Sequence, residues 1–192
     1  AVIGGTGPGV RNVLSGNGNA GVGVRGQGAQ RVTVQGNYIG TGLDPAVAIP
    51  NQNHGVEIAP APERGSTGAP SDVLVGGVWN SPEANLISGS RGSGVAVFLS
   101  GQGGSGIVVA GNIIGLDAAN AIPVPNDMGI SIRRDVAAGS MPPVRIGGFR
   151  GDSCNVIAGN TYSGMYIMGY GARNNDVRGN YIGVVPLPGG SF

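Results

Sequence analysis

The chain has 192 residues, 40 of them glycine, and its 11 basic residues, all arginine, nearly balance 10 acidic ones to give a net charge of +1. Only 11% of the residues are charged while 40% are apolar, which excludes a disordered chain, and glycine follows no three-residue period, which excludes collagen. Scattered arginines and few aromatic residues do not favour nucleic-acid binding, and no apolar run approaches the roughly 18 residues of a membrane span.

From the N terminus, the first recurring element is an asparagine followed by an apolar pair, as in Gly36-Asn37-Tyr38-Ile39-Gly40. The apolar pair predicts a very short strand. The gaps between copies alternate between short and long, so the true unit is a pair of turns that spans 68–75 residues. One asparagine marks each predicted turn: Asn12, Asn37, Asn85, Asn112, Asn155 and Asn180.

The next element is Gly-Val-x-Ile or a close variant, which begins at Gly21 and returns after 34, 39, 35 and 35 residues. Apolar residues alternate within each copy, which is the period of a β-strand. The side chains that we expect to point inward are Val22, Val24, Val56, Ile58, Val95, Val97, Ile130, Ile132, Met165 and Ile167. The outward row that we expect is Gly23, Glu57, Ala96, Ser131 and Tyr166.

A third element of the Val-x-Val type, such as Val32-Thr33-Val34, completes each turn. Three short strands per turn, separated by glycine corners, predict an all-β fold: a single-stranded, right-handed parallel β-helix of about six turns over residues 1–192. Successive turns place like side chains on like, so the six asparagines are predicted to form a structural ladder along one corner.

Two inserted loops match each other and contain Asp44 and Asp117 at equivalent positions. Two turns separate them, or roughly 10 Å, which is too far to share one ion. We therefore expect each carboxylate to cap its own loop, and the sequence predicts no metal site and no cofactor. The single Cys154 is expected to pack as a small apolar residue.

These motifs resemble those of bacterial right-handed parallel β-helix repeat proteins, which belong to the wider pectin-lyase-like fold. The residues that carry the resemblance are Ile3-Gly4-Gly5-Thr6, Asn12-Val13-Leu14-Ser15-Gly16-Asn17, Gly36-Asn37-Tyr38-Ile39-Gly40-Thr41 and Gly55-Val56-Glu57-Ile58. The resemblance covers nearly the whole chain and is specific for the fold. It implies a secreted or cell-surface protein, because such repeats lie mainly in large proteins of that kind.

The same fold hosts polysaccharide lyases, hydrolases and epimerases. Hydrolysis by these enzymes needs paired acids, and calcium-dependent lyase chemistry needs several aspartate ligands and a base. The sequence offers neither, so no catalytic residue is assigned. His54 resembles the histidine of a hydrolase His-Gly motif but is expected to lie in solvent before a strand, and Asn126-Asp127 is matched with Gln52-Asn53 as a turn pair.

Two functions remain open. The first is an extracellular structural or surface segment, such as a stalk, an adhesin portion or a fibre subunit, and it would associate end to end or with flanking domains of a longer chain. The second is a carbohydrate-binding or polysaccharide-degrading β-helix, for which the candidates are Glu57 and Tyr166 on the outward row, with Arg133 and Arg134 just after the strand, where they could bind an acidic sugar. An interpretation of Arg133, Arg134 and Asp135 as a local surface ion pair competes with the second function.

Overall fold

The structure is a computed structural model, and it describes residues 1–100, 103–135, 142–148 and 151–185. In these residues the chain repeats one pattern: a strand in each of three parallel sheets, then a return to the first sheet one turn further along. The only helical segments in the described ranges are two single 3-10 turns, Pro62–Arg64 and Gly151–Ser153. The predicted fold class, a parallel β-helix with three strands per turn, is confirmed.

Each sheet collects one of the sequence elements. Sheet A collects the Val-x-Val strands: β1 (Val2–Gly4), β4 (Gln30–Gln35), β7 (Ser71–Gly76), β10 (Val108–Ala110), β13 (Arg145–Gly147) and β16 (Asp176–Arg178). Sheet B collects the Asn-x-Ile strands: β2 (Val13–Leu14), β5 (Tyr38–Ile39), β8 (Leu86–Ile87), β11 (Ile113–Ile114), β14 (Val156–Ile157) and β17 (Tyr181–Ile182). Sheet C collects the Gly-Val-x-Ile strands: β3 (Val22–Arg25), β6 (Val56–Ala59), β9 (Ser93–Leu99), β12 (Met128–Arg134) and β15 (Ser163–Met168).

The core follows from the register of these strands. In sheet C, Ile132 lies between Val97 and Ile167, so one inward row passes through successive turns. One continuous apolar cluster fills the space between the three sheets, and most of the predicted inward side chains are buried in it. Like residues are stacked on like because the repeat returns each motif to the same place in every turn.

The corner between sheets A and B requires glycine. Gly76 has φ of +90°, and a Cβ atom at this position would lie 2.0 Å from the carbonyl oxygen of Ala110 in the next turn. Neither the backbone angle nor this contact tolerates a side chain. The high glycine content therefore sets the path of the chain at its corners.

The last described turn differs from the middle of the rod. Ile167, Val177 and Ile182 belong to the inward rows of sheets C, A and B, yet they are 41%, 39% and 44% exposed. The inward register of Ile167 is as predicted, but no further described turn packs over these three residues. The predicted burial of Ile167 is therefore incomplete.

Candidate functional site

The corner between sheets A and B holds the six asparagines that the sequence singled out. In every consecutive pair, the main-chain N–H and the side-chain amide of one asparagine both donate to the Oδ1 atom of the next, over 2.8–3.4 Å. We call this set, Asn12, Asn37, Asn85, Asn112, Asn155 and Asn180, the first ladder. The structure thus brings all six residues together.

The side-chain amide of each asparagine of the first ladder after Asn12 also donates a hydrogen bond to a carbonyl oxygen of the previous turn. For example, the side-chain amide of Asn112 donates to the carbonyl oxygen of Val75 at 2.9 Å and to that of Ala110 at 3.0 Å. Asn112 is fully buried, and its amide group is almost saturated with partners. In the middle of the rod, the amide groups of this corner are consequently bonded to the neighbouring turns rather than available to a ligand.

A second ladder lies at the corner between sheets B and C, and sequence reasoning missed it. It consists of Asn17, Asn51, Ser90, Asn126 and Asn160. Asn17 donates to Asn51 Oδ1 at 2.9 Å, and Asn126 donates to Asn160 Oδ1 at 3.1 Å. Between them Ser90 interrupts the series, and its buried hydroxyl has no hydrogen-bond partner.

A spacing in the sequence could have revealed the second ladder. Asn17, Asn51 and Asn160 each stand four residues before the glycine that starts a Gly-Val-x-Ile strand. Asn126 stands only three residues before Gly129, and this shorter turn hid the match. The pairing of Asn126 with Gln52 was therefore wrong by one residue, since Asn126 takes the place in its turn that Asn51 takes in its own.

The outward face of sheet C contains the predicted carbohydrate candidates, but not all of them are accessible. Glu57 lies on the expected row, opposite Gly23 and Ala96, yet it is only 3% exposed. Its Oε1 atom lies 2.5 Å from Nη2 of Arg25, which forms an ion pair over it. Burial and this pairing remove Glu57 from the surface expected of a sugar-binding residue.

His54 lies on the same face and is only partly exposed, which corrects the expectation of a solvated loop residue. Its Nδ1 atom accepts a hydrogen bond of 3.0 Å from the N–H of Ser93, and its ring lies 5.5 Å from that of Phe98. Burial, and secondarily the charge of Arg25, lower the pKa of His54 below its usual 6.5. The imidazole is thus held neutral with its proton on Nε2.

The remaining candidates lie further along sheet C. Arg133 pairs with Asp135 at 2.7 Å at the surface, as the ion-pair interpretation predicted, and Tyr166 is 42% exposed. A cavity of about 270 Å³ opens beside this pair and is lined by Phe98, Leu99, Ser100, Arg133 and Asp135. This cavity offers an aromatic ring and two opposite charges to a polar ligand.

Arg134 does not belong to that surface. It extends the inward row of Ile130 and Ile132 and is fully buried, whereas the sequence reading had placed it just after the strand. The physical reason is length: β12 has seven residues, so it continues past the four-residue motif and turns Arg134 inward. Arg134 is therefore not accessible to a sugar chain.

The two inserted loops are closed by their own aspartates. Asp44 Oδ1 accepts a hydrogen bond from the N–H of Ala46, and Asp117 Oδ1 accepts from those of Ala121 and Ile122. The expected loop capping is confirmed for both. Among the described residues, no group of three or more His, Cys, Asp or Glu side chains is close enough to hold a metal ion.

Burial raises the pKa of the Cys154 thiol to about 11, so it stays protonated at neutral pH and packs as an apolar residue. No helical segment in the described ranges has the length and hydropathy needed to cross a bilayer. In comparisons with known proteins, no family model, curated protein or solved structure matches this chain. The assignment of function consequently rests on the geometry of the rod.

Proposed function

We propose that this chain is an extracellular structural segment, a stiff β-helical rod of the kind found in bacterial surface proteins, whose ends stack on further β-helical turns. The observation that carries the proposal is the first ladder, which joins every turn to the next through paired amide hydrogen bonds. Such a device stabilises the stacking direction, which suits a stalk or fibre. We also propose that the chain is related to the β-helix proteins of the pectin-lyase-like fold.

The two ends of the first ladder are complementary. At one end, the Oδ1 atom of Asn12 is in the position that accepts hydrogen bonds in every other turn. At the other end, the main-chain N–H and side-chain amide of Asn180 are in the position that donates to a following asparagine, as those of Asn155 do to Asn180. A head-to-tail contact would therefore continue the ladder with unchanged chemistry.

The apolar surface at the ends favours the same contact. Ile167, Val177 and Ile182 at the last turn are partly exposed, and at the first turn Ile3 and Leu14 are only partly buried against the core. These residues belong to rows that are fully buried in the middle of the rod. Stacking would cover them, and burial of apolar area contributes about 25 cal/mol per Å².

Electron microscopy of the purified chain tests this proposal. Six turns at about 4.8 Å each give a subunit repeat of about 29 Å, so filaments with that axial repeat are expected. Ile182→Asp should abolish them by placing a charge in the end contact, whereas Val47→Asp, on an exposed side loop, should leave them intact. Isolated particles at all concentrations, with a monomer mass by light scattering, would contradict stacking between copies.

A second function, binding of a carbohydrate, is favoured by the cavity beside Phe98, Arg133 and Asp135. An aromatic ring can stack on a sugar, and the paired charges can bond to its hydroxyls. Tyr166 lies on the same face two turns beyond Ala96 and is accessible. Glu57 and Arg134 take no part in this site because both are buried.

A glycan array, combined with assays for reducing sugars and for unsaturated products, separates binding from degradation. Binding without product is the expected result if the cavity is a recognition site. Phe98→Ala should then weaken binding at least tenfold, whereas Tyr170→Ala, at an exposed aromatic residue outside the cavity, should not. No signal in any of the three assays would exclude this second function.

A further inference from the structure

Arg134 is the largest fully buried side chain among the described residues. It ends β12, and its Cα partner in the neighbouring strand β9 is Leu99, which is also buried. The inward row at this corner thus places a guanidinium group where the adjacent turn has a leucine. A charged group in such a position is costly unless it is paired.

The guanidinium group of Arg134 is incompletely bonded. Its Nη2 atom donates to the carbonyl oxygen of Pro142 at 2.6 Å, but the buried Nε and Nη1 atoms have no hydrogen-bond partner. No carboxylate among the described residues forms an ion pair with it. Burial lowers the pKa of Arg134, yet an arginine side chain remains protonated at neutral pH.

Two other arginines of sheet C show the usual solution. Arg25 pairs with Glu57, and Arg133 pairs with Asp135. Because Arg133 neutralises Asp135, the carboxylate next to Arg134 in sequence adds no net charge that would repel an anion. Among the arginines in the described ranges, Arg134 alone combines full burial with unbonded donors and has no carboxylate partner there.

We propose that Arg134 binds a small oxyanion, of the phosphate or sulfate type, at the corner where sheet C ends. Guanidinium N–H groups donate to such oxygens in charge-assisted hydrogen bonds. Leu99, its strand partner, and both neighbours of Arg134 in sequence, Arg133 and Asp135, line the cavity of about 270 Å³.

Thermal unfolding in increasing inorganic phosphate, at constant ionic strength set with sodium chloride, tests this site. The wild-type midpoint should rise by about 5 °C and continue to increase with the logarithm of the phosphate concentration. Arg134→Leu should abolish the rise and unfold at the same or a higher temperature without phosphate, because leucine matches the neighbouring Leu99. Arg91→Leu, at an exposed arginine that does not line the cavity, is the control and should keep the full rise.

Isothermal titration of the wild-type protein with phosphate gives an independent readout, with an expected stoichiometry of one. If Arg134→Leu does not fold, Arg134→Lys replaces it and should weaken phosphate binding at least tenfold while it keeps the charge. Equal phosphate effects on the wild type and both variants, or no saturable binding to the wild type, would overturn the proposal.

Discussion

Two corners of the same rod both join successive turns through a ladder of asparagine side chains, but only one of the two ladders is unbroken. The corner between sheets A and B has asparagine in all six turns, and each amide bonds to the next. The corner between sheets B and C uses the same device but has serine at position 90, where the series breaks. The difference shows that an unbroken ladder is not required at every corner for the turns to stack.

The two corners have the same kind of backbone requirement for glycine. At the first corner, Gly76 and Gly147 have φ of +90° and +79°, and a Cβ atom on either would lie within 2.1 Å of a carbonyl oxygen in the next turn. At the second corner, Gly40 and Gly115 have φ of +86° and +91°, and a Cβ atom on either would lie within 2.3 Å of a carbonyl oxygen in the next turn. Glycine therefore fixes the path of the chain at both corners.

Removal of a central amide should have the largest effect. Asn112→Ala takes away the acceptor of two N–H groups of Asn85 and the side-chain donor to Val75, all inside the rod. We expect the free energy of unfolding to fall by about 4 kcal/mol, because each buried group left unpaired costs about 1–3 kcal/mol.

Urea denaturation compares the free energy of unfolding of Asn112→Ala with that of two further variants, one in the second ladder and one at the end of the first. Asn126→Ala should cost about 2 kcal/mol. It removes the bonds to Ile87 and Asn160, but the ladder is already interrupted on its other side, at Ser90. Asn12→Ala, at the exposed end, should cost less than about 1 kcal/mol. Equal losses in Asn112→Ala and Asn126→Ala would contradict the distinction between the two corners.

Substitution of a corner glycine should follow closely. Gly76→Ala forces a side chain into both a positive φ and a backbone clash, and we expect a loss of about 3 kcal/mol. Gly28→Ala is the control, because its φ is not positive and no atom lies within 4 Å of the added carbon. The thermal midpoints of both variants test this, and similar midpoints would show that the corner relaxes around a methyl group.

Repair of the second ladder should have a smaller effect of opposite sign. Ser90→Asn would place an amide between Asn51 and Asn126. The space for this amide exists, because Gly55 lies in the same position relative to residue 90 as Gly21 does to Asn51. We expect a gain of about 1 kcal/mol in the free energy of unfolding. Ser90→Ala should be nearly neutral, as the hydroxyl has no partner, and a loss in Ser90→Asn would show that the pocket fits only a small residue.

The sequence predicted most of this fold and little of its sites, for identifiable reasons. Short periodic motifs specify a β-helix because each residue returns to the same row, so Asn112 and Ile132 were placed correctly. The second ladder was missed because Ser90 and a shorter turn before Gly129 break its spacing. Glu57 and Arg134 were placed at the accessible surface because a motif reveals neither an ion pair across turns nor the true end of a strand.

The smallest expected effect concerns pH and the outward face of sheet C. The folded protein lowers the pKa of His54 below its usual 6.5, so between these two values the unfolded chain binds more protons than the folded one. This group's contribution to stability should therefore be fully present above pH 6.5 and decline as the pH falls. His54→Gln keeps an acceptor for Ser93 and should remove this part of the decline. Chemical denaturation of both proteins from pH 7.5 to 5.5 measures the difference, and parallel curves would show that His54 titrates as it does in the unfolded chain.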